Sequence, residues 1–249
     1  MTPLEGAAIL AAGLAAGTIN AVVGSGSLIT FPVLLAFGYA PIVANVSNTI
    51  GLVPGSISGA IGYRAELAGQ GQRALMLGAV SILGGLSGAI LLIVLPSSAF
   101  ETIVPLLILG ACLLVAIQPW IGRASRAKAG SDARSPLLVA GIFGSAVYGG
   151  YFGAAQGVIL IGLLGIFLSD DLQRLTALKN VLQALVNGVA GLLFLFVAPV
   201  AWEAAVLIAV GSIIGGQVGA RVGRRLSPAL LRGVIIVVGT FVALRLALG

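Results

Sequence analysis

The feature that most constrains this chain is an apolar stretch that is too long to cross a membrane once and is broken in its middle. It runs from Gly6 to Phe37, and Gly24-Ser25-Gly26-Ser27 interrupts it. As one helix it would extend roughly 48 Å at 1.5 Å per residue, against a bilayer core of about 30 Å. About 130 residues later the design recurs between Pro136 and Leu168, with the break at Gly153 to Gly157. Both stretches are therefore predicted to fold as helical hairpins bent at their glycines.

The remaining chain consists of further apolar runs. With 59% hydrophobic and 8% charged residues, it exposes more apolar surface than a water-soluble domain can hide. The predicted fold class is an all-α polytopic membrane protein. Residues 1–120 form a first repeat, with a hairpin at 6–37 and spans at 42–62, 74–95 and 102–120. A basic connector follows at 121–135. Residues 136–249 form a second repeat, with a hairpin at 136–168 and spans at 175–197, 204–220 and 229–248. No stretch is left over for a soluble catalytic domain, and the first apolar run lacks the basic flank of a cleavable signal peptide.

The halves also correspond residue by residue. Ser47-Asn48 matches Lys179-Asn180, Gly55 and Gly59 match Asn187 and Gly191, and Gly84 to Ala89 match Gly215 to Ala220. This reads as an internal duplication. Ten of the thirteen basic residues lie in three connectors, around Arg64 and Arg73, from Arg123 to Arg134, and from Arg221 to Arg232. That clustering is the positive-inside signal and does not point to nucleic acid. Placing all three connectors in the cytoplasm forces each hairpin to return to its own side. It also leaves both termini outside and makes the two repeats inverted relative to each other. Glycines every fourth position, at Gly51, Gly55 and Gly59 and again at Gly211, Gly215, Gly219 and Gly223, predict close helix packing.

Function is expected where the two hairpin tips meet. A bent tip at membrane depth frees backbone groups that must find protein, water or a solute, and helix N-termini favour anions. The candidate substrate-binding residues are Gly24, Ser25, Gly26 and Ser27 in one tip and Gly153, Ala155, Gln156 and Gly157 in the other. Asn48, with Thr49 beside it, and Asn180 lie at similar depths in matching spans and are expected to reach a common site. Lys179 is the only charge well inside an apolar region, which makes it a functional candidate. The alternative is that it snorkels to the edge or pairs with Asp170 or Asp171. Gln183 continues the polar stripe of Asn180, as does Asn187.

All seven acids lie at segment ends or in connectors, and there is no histidine. A carboxylate proton carrier inside the membrane is therefore absent, which favours anion efflux. The alternative is sodium- or proton-coupled uptake of another small solute. Cys112 is the one cysteine, so neither an internal disulfide nor a metal cluster is expected. No cofactor is called for, and no nucleophile has a base beside it, so an enzyme is not expected. Expected partners are a small anion and the lipid bilayer, with self-association left open.

Taken together, these pieces resemble the TauE/SafE sulfite exporter family, in its probable membrane transporter branch. The resemblance rests on INAVVGSGSLITFPVLL at 19–35, ANVSNTIGLVPGSISGAIGYRAEL at 44–67, YGGYFGAAQGVIL at 148–160, LKNVLQALVNGVAGLLF at 178–194 and GGQVGAR at 215–221. It implies a bacterial inner-membrane protein that exports sulfur-containing anions such as sulfite or organosulfonates. Many relatives carry a triple-glycine tip. Here Ser27 replaces a glycine of the first tip, and Ala154, Ala155 and Gln156 replace glycines of the second.

Overall fold

The computed structural model describes residues 1–128 and 133–222, together with isolated positions between 233 and 244. The described residues form nine helices: α1 (Pro3–Val22), α2 (Ser27–Ala36), α3 (Pro41–Gly62), α4 (Gly71–Val94), α5 (Ser97–Lys128), α6 (Pro136–Tyr151), α7 (Gln156–Phe167), α8 (Leu172–Val197) and α9 (Trp202–Val222). Most of the span predicted at 229–248 lies outside the described residues. α5 continues past the predicted end at residue 120 into the basic stretch. Arg and Lys are good helix formers, and charge alone does not stop a helix.

Five helices are long and apolar enough to cross a membrane: α1, α4, α5 up to Ile117, α8 and α9. α3 has 22 residues, yet Asn45, Ser47, Asn48, Thr49, Ser56 and Ser58 lower its hydropathy, and all six are buried. It is an internal helix whose polar groups face protein. By contrast Leu75, Leu137 and Phe196 are more than 70% exposed, as expected of lipid-facing positions.

Small residues set the packing. A Cβ on Gly17 would lie 2.4 Å from the Ser212 carbonyl oxygen, and one on Gly215 would lie 2.1 Å from that of Leu14. α1 and α9 therefore touch backbone to backbone, and the order of contacts, Gly13 to Ile208 and then Gly17 to Ser212, makes them parallel. Gly51 meets Ala205 and Ile208, and Gly55 meets Ser212, so α3 lies parallel to α9 on its other side. A second trio is built in the same way. Gly84 meets Phe143 and Ala146, and Gly88 meets Val147 and Tyr151, which aligns α4 with α6, while Gly78 and Gly85 pack against Leu185 and Val186 of α8. Lipid tails are as apolar as leucine, so these close contacts gain dispersion energy where burial from water offers nothing.

The trios α1–α3–α9 and α4–α6–α8 each combine helices from both halves of the sequence. They adjoin along α3 and α8, which run antiparallel: Ser56 accepts a hydrogen bond from Asn187 at 3.1 Å, Gly191 packs on Ile50 and Val53, and Gln70 donates to the Arg174 carbonyl at 3.0 Å. The short helices α2 and α7 lie at this seam, α2 against α3 and α7 against α8.

Candidate substrate site between two broken helices

The first break begins where Gly24 takes a φ of +85°, a left-handed conformation that glycine adopts without steric cost. Gly26 then folds so closely onto α1 that a Cβ there would lie 2.3 Å from the Ala16 carbonyl oxygen. The second break turns at Gly153, with φ +78°, and at Ala155, with φ +58°. For alanine the left-handed region costs about 1–2 kcal/mol, and Ala155 is fully buried there.

The two tips touch. The Gly157 amide donates to the Gly24 carbonyl at 3.0 Å, a Cβ on Gly24 would lie 2.3 Å from the Gly157 Cα, and one on Gly157 would lie 2.4 Å from the Gly24 Cα. Only glycine fits on either side of this contact. The N-terminal ends of α2 and α7, which carry partial positive charge, follow directly after the two breaks.

Most polar groups brought to this junction serve the first hairpin. α1 ends at Val22, leaving carbonyls without helical partners. The Lys179 ammonium donates to two of them, Asn20 at 2.9 Å and Ala21 at 3.3 Å, and Asn180 Nδ2 donates to Ala21 at 3.1 Å. Lys179 is completely buried, so it does not snorkel. It does not pair with an acid either. Asp170 binds Arg73 at 2.9 Å and Arg174 at 2.7 Å, and Asp171 caps α8 through the Gln173 and Arg174 amides. A cation at a helix C-terminus is favourable, and here it compensates the broken end of α1.

Gln183 Nε2 donates to Asn20 Oδ1 at 2.9 Å and reaches the Gly24 carbonyl at 3.5 Å. Asn20 Nδ2 reaches Ser56 Oγ at 3.3 Å, which also accepts from Asn187. Across the break, Asn48 donates to Ser27 Oγ at 3.1 Å and accepts a short hydrogen bond from the Thr30 hydroxyl. Asn48 and Asn180 thus flank the same tip, one at the start of α2 and the other at the end of α1. Thr49 turns back to the Asn45 carbonyl of its own helix at 2.9 Å and contributes no group to the junction.

The second tip is mostly aromatic. Phe152 meets Phe31, Phe100 and Tyr148 edge to face, and Phe100 also meets Tyr151. Its broken helix end is closed by neutral donors, Asn45 Nδ2 to the Tyr151 carbonyl at 3.0 Å and the Tyr148 hydroxyl to the Ala154 carbonyl at 2.6 Å. Gln156 is fully buried against Gly149, and neither of its amide atoms has a protein partner.

Asn20, Thr30, Asn45 and Ser56 were not among the candidates drawn from the sequence. Asn20 and Thr30 each have apolar neighbours on both sides, and Asn45 and Ser56 lie among other polar residues of α3; glycine-rich motifs overshadow both kinds of signal. Among the described residues no group of three or more potential metal ligands occurs, and Lys179 is the one fully buried charge.

The sulfite exporter TauE/SafE family model matches residues 9–246. The chain is 27% identical to the probable membrane transporter protein YfcA of Escherichia coli K12 over 99% of its own length and 91% of the relative's. It is 26% identical to a probable membrane transporter protein of Haemophilus influenzae, over 93% of this chain and 90% of that one. A probable membrane transporter protein of a Sinorhizobium species is 25% identical, over 96% and 90%. No solved structure gives a significant match. The long apolar helices, the buried polar junction of two broken helices and this match along nearly the whole chain lead to one conclusion: the chain belongs to the TauE/SafE sulfite exporter family and is a multi-pass membrane transporter.

Proposed function

We propose that the protein exports a small sulfur-containing anion, of the sulfite or organosulfonate class, across a bacterial inner membrane through the junction of its two hairpin tips. The observation that carries this reading is the fully buried Lys179 ammonium at a junction where two helices begin and where no carboxylate among the described residues is buried. The lysine offsets the negative end of α1, while the N-terminal ends of α2 and α7 keep their positive character. The net field at the junction favours an anion. With the cytoplasm negative, outward movement of one negative charge gains about 2.3 kcal/mol per 100 mV, so export needs no carboxylate proton carrier.

The same reading treats the two halves as inverted repeats, with both termini outside. It is supported by the antiparallel course of α3 and its counterpart α8, and by the way the trios exchange counterparts, α1 with α6 and α9 with α4. Sodium held by tip carbonyls fits less well, because Lys179, Asn180 and Gly157 already donate to the carbonyls of Asn20, Ala21 and Gly24.

The test is flux from vesicles containing the purified protein and loaded with sulfite, sulfate, thiosulfate or small sulfonates. The expected result is efflux of sulfite or a sulfonate that speeds up when the inside is made negative and is indifferent to sodium. Absence of flux for every one of these anions, or an absolute sodium requirement, would overturn the proposal.

A further inference from the structure

Several side chains at the junction keep hydrogen-bonding atoms for which the protein supplies no partner, and their chemistry bears on what binds there. Gln183 is 3% exposed and Asn45 is 1% exposed. The orientation of each amide is fixed by what its nitrogen meets. Gln183 Nε2 faces two acceptors, Asn20 Oδ1 and the Gly24 carbonyl, and Asn45 Nδ2 donates to the Tyr151 carbonyl. The oxygens therefore point the other way, and neither Gln183 Oε1 nor Asn45 Oδ1 has a protein donor. Gln183 Oε1 would lie 3.1 Å from a Cβ on Gly157, which places it against the first turn of α7. Asn45 Nδ2 meets the last carbonyl of α6, so the two side chains stand on either side of the second break. Ser25, 1% exposed in the first tip, adds an unpartnered hydroxyl.

A buried acceptor left unpaired costs about 1–3 kcal/mol, and more where water is excluded. The helix N-terminal ends and the Ser25 hydroxyl suit the oxygens of an anion. The two amide oxygens do not, because a fully deprotonated oxyanion offers only acceptors and is repelled by them. We propose that the substrate carries an N–H or O–H donor in addition to its anionic group, as a hydroxyalkyl or aminoalkyl sulfonate does, and that Gln183 and Asn45 select for that donor. This rests on the anion reading of the same site.

The experiment is equilibrium binding to the purified full chain of two sulfonates with the same number of non-hydrogen atoms, 2-hydroxyethanesulfonate and 1-propanesulfonate, with sulfite as a third ligand. Hydrogen-bonding sites reject analogues that lack the bonding group more strongly than apolar pockets reject size changes, so the hydroxylated compound should bind about tenfold tighter or more. In Gln183→Met the ratio of the two affinities should fall toward one, whatever the absolute affinity for 1-propanesulfonate. Equal binding of the two sulfonates to the wild type would overturn the inference and leave the anion reading standing. A preference that persists undiminished in both Gln183→Met and Asn45→Leu would also overturn it. Binding of none of the three ligands would remove the anion reading and this inference together. The wild-type comparison decides the matter even where a variant fails to fold.

Discussion

The two hairpins share a plan but are held by different chemistry. The first is surrounded by polar side chains. A lysine and an asparagine close the end of α1, and Asn48 and Thr30 fix the start of α2. The second is held by aromatic rings around Phe152 and by two neutral hydrogen bonds. The polar groups thus gather around one tip, which receives side chains from α8 in the second half of the chain. Matching Ser47 with Lys179 expresses the difference in one position. The serine hydroxyl accepts from the Ala201 amide at 2.8 Å and the lysine closes a helix end, so the position that the sequence pairs with the buried lysine makes an ordinary structural contact.

Gly24→Val should break the arrangement most completely, because the side chain would have to occupy the space of the Gly157 backbone. Vesicle flux should fall to background while a monodisperse protein can still be purified, and Gly157→Val should behave the same way. Next in size, Phe152→Ala should remove the ring that binds the second tip to Phe31 and Phe100. Loss of a buried aromatic side chain costs about 3–5 kcal/mol, and thermal unfolding in detergent should show it.

The two helix caps allow the comparison to be sharpened. Lys179→Met leaves the Asn20 carbonyl without its side-chain donor and weakens the closure at Ala21, for about 2 kcal/mol, whereas Asn45→Ala removes one neutral bond worth about 1 kcal/mol. The lysine variant should therefore melt at the lower temperature and lose binding of every anion, while the asparagine variant should lose only part of the preference for a hydroxylated one. Equal effects would mean that the charge at the first tip adds nothing beyond a hydrogen bond. The smallest effect is a gain. Ala155→Gly relieves the left-handed alanine in the second tip and should raise stability by up to about 1 kcal/mol. A lower melting temperature would show that the Ala155 methyl group contributes more packing than its conformation costs.

The hairpins, their breaks and the pairing of glycine-rich faces could be read in the sequence because they rest on local rules. These are the length of an apolar run, glycine at a left-handed turn, and small residues every fourth position. Gly51, Gly55, Gly211, Gly215 and Gly219 all make the close contacts that their spacing suggests. The identity of the partner helices was not legible, since nothing in the spacing says that α1 packs on α9. The role of Lys179 was half legible. Its position inside an apolar run marked it as special, but its donation to the Asn20 and Ala21 carbonyls depends on how residues 158 and 159 positions apart come together. Thr49 looked equivalent to Asn48 beside it, yet a threonine in a helix readily bonds the carbonyl four residues back, and Thr49 does so.

The central claim is that the anion occupies the junction of the tips, and solute protection of a cysteine placed there tests it most directly. In a Cys112→Ser background, Ser25→Cys would be labelled in vesicles with a membrane-impermeant methanethiosulfonate, with and without a saturating, unreactive sulfonate shown to bind. Slow labelling that the sulfonate suppresses in proportion to its occupancy is expected. Labelling at the same rate with and without the sulfonate, in a variant that still transports it, would place the anion elsewhere.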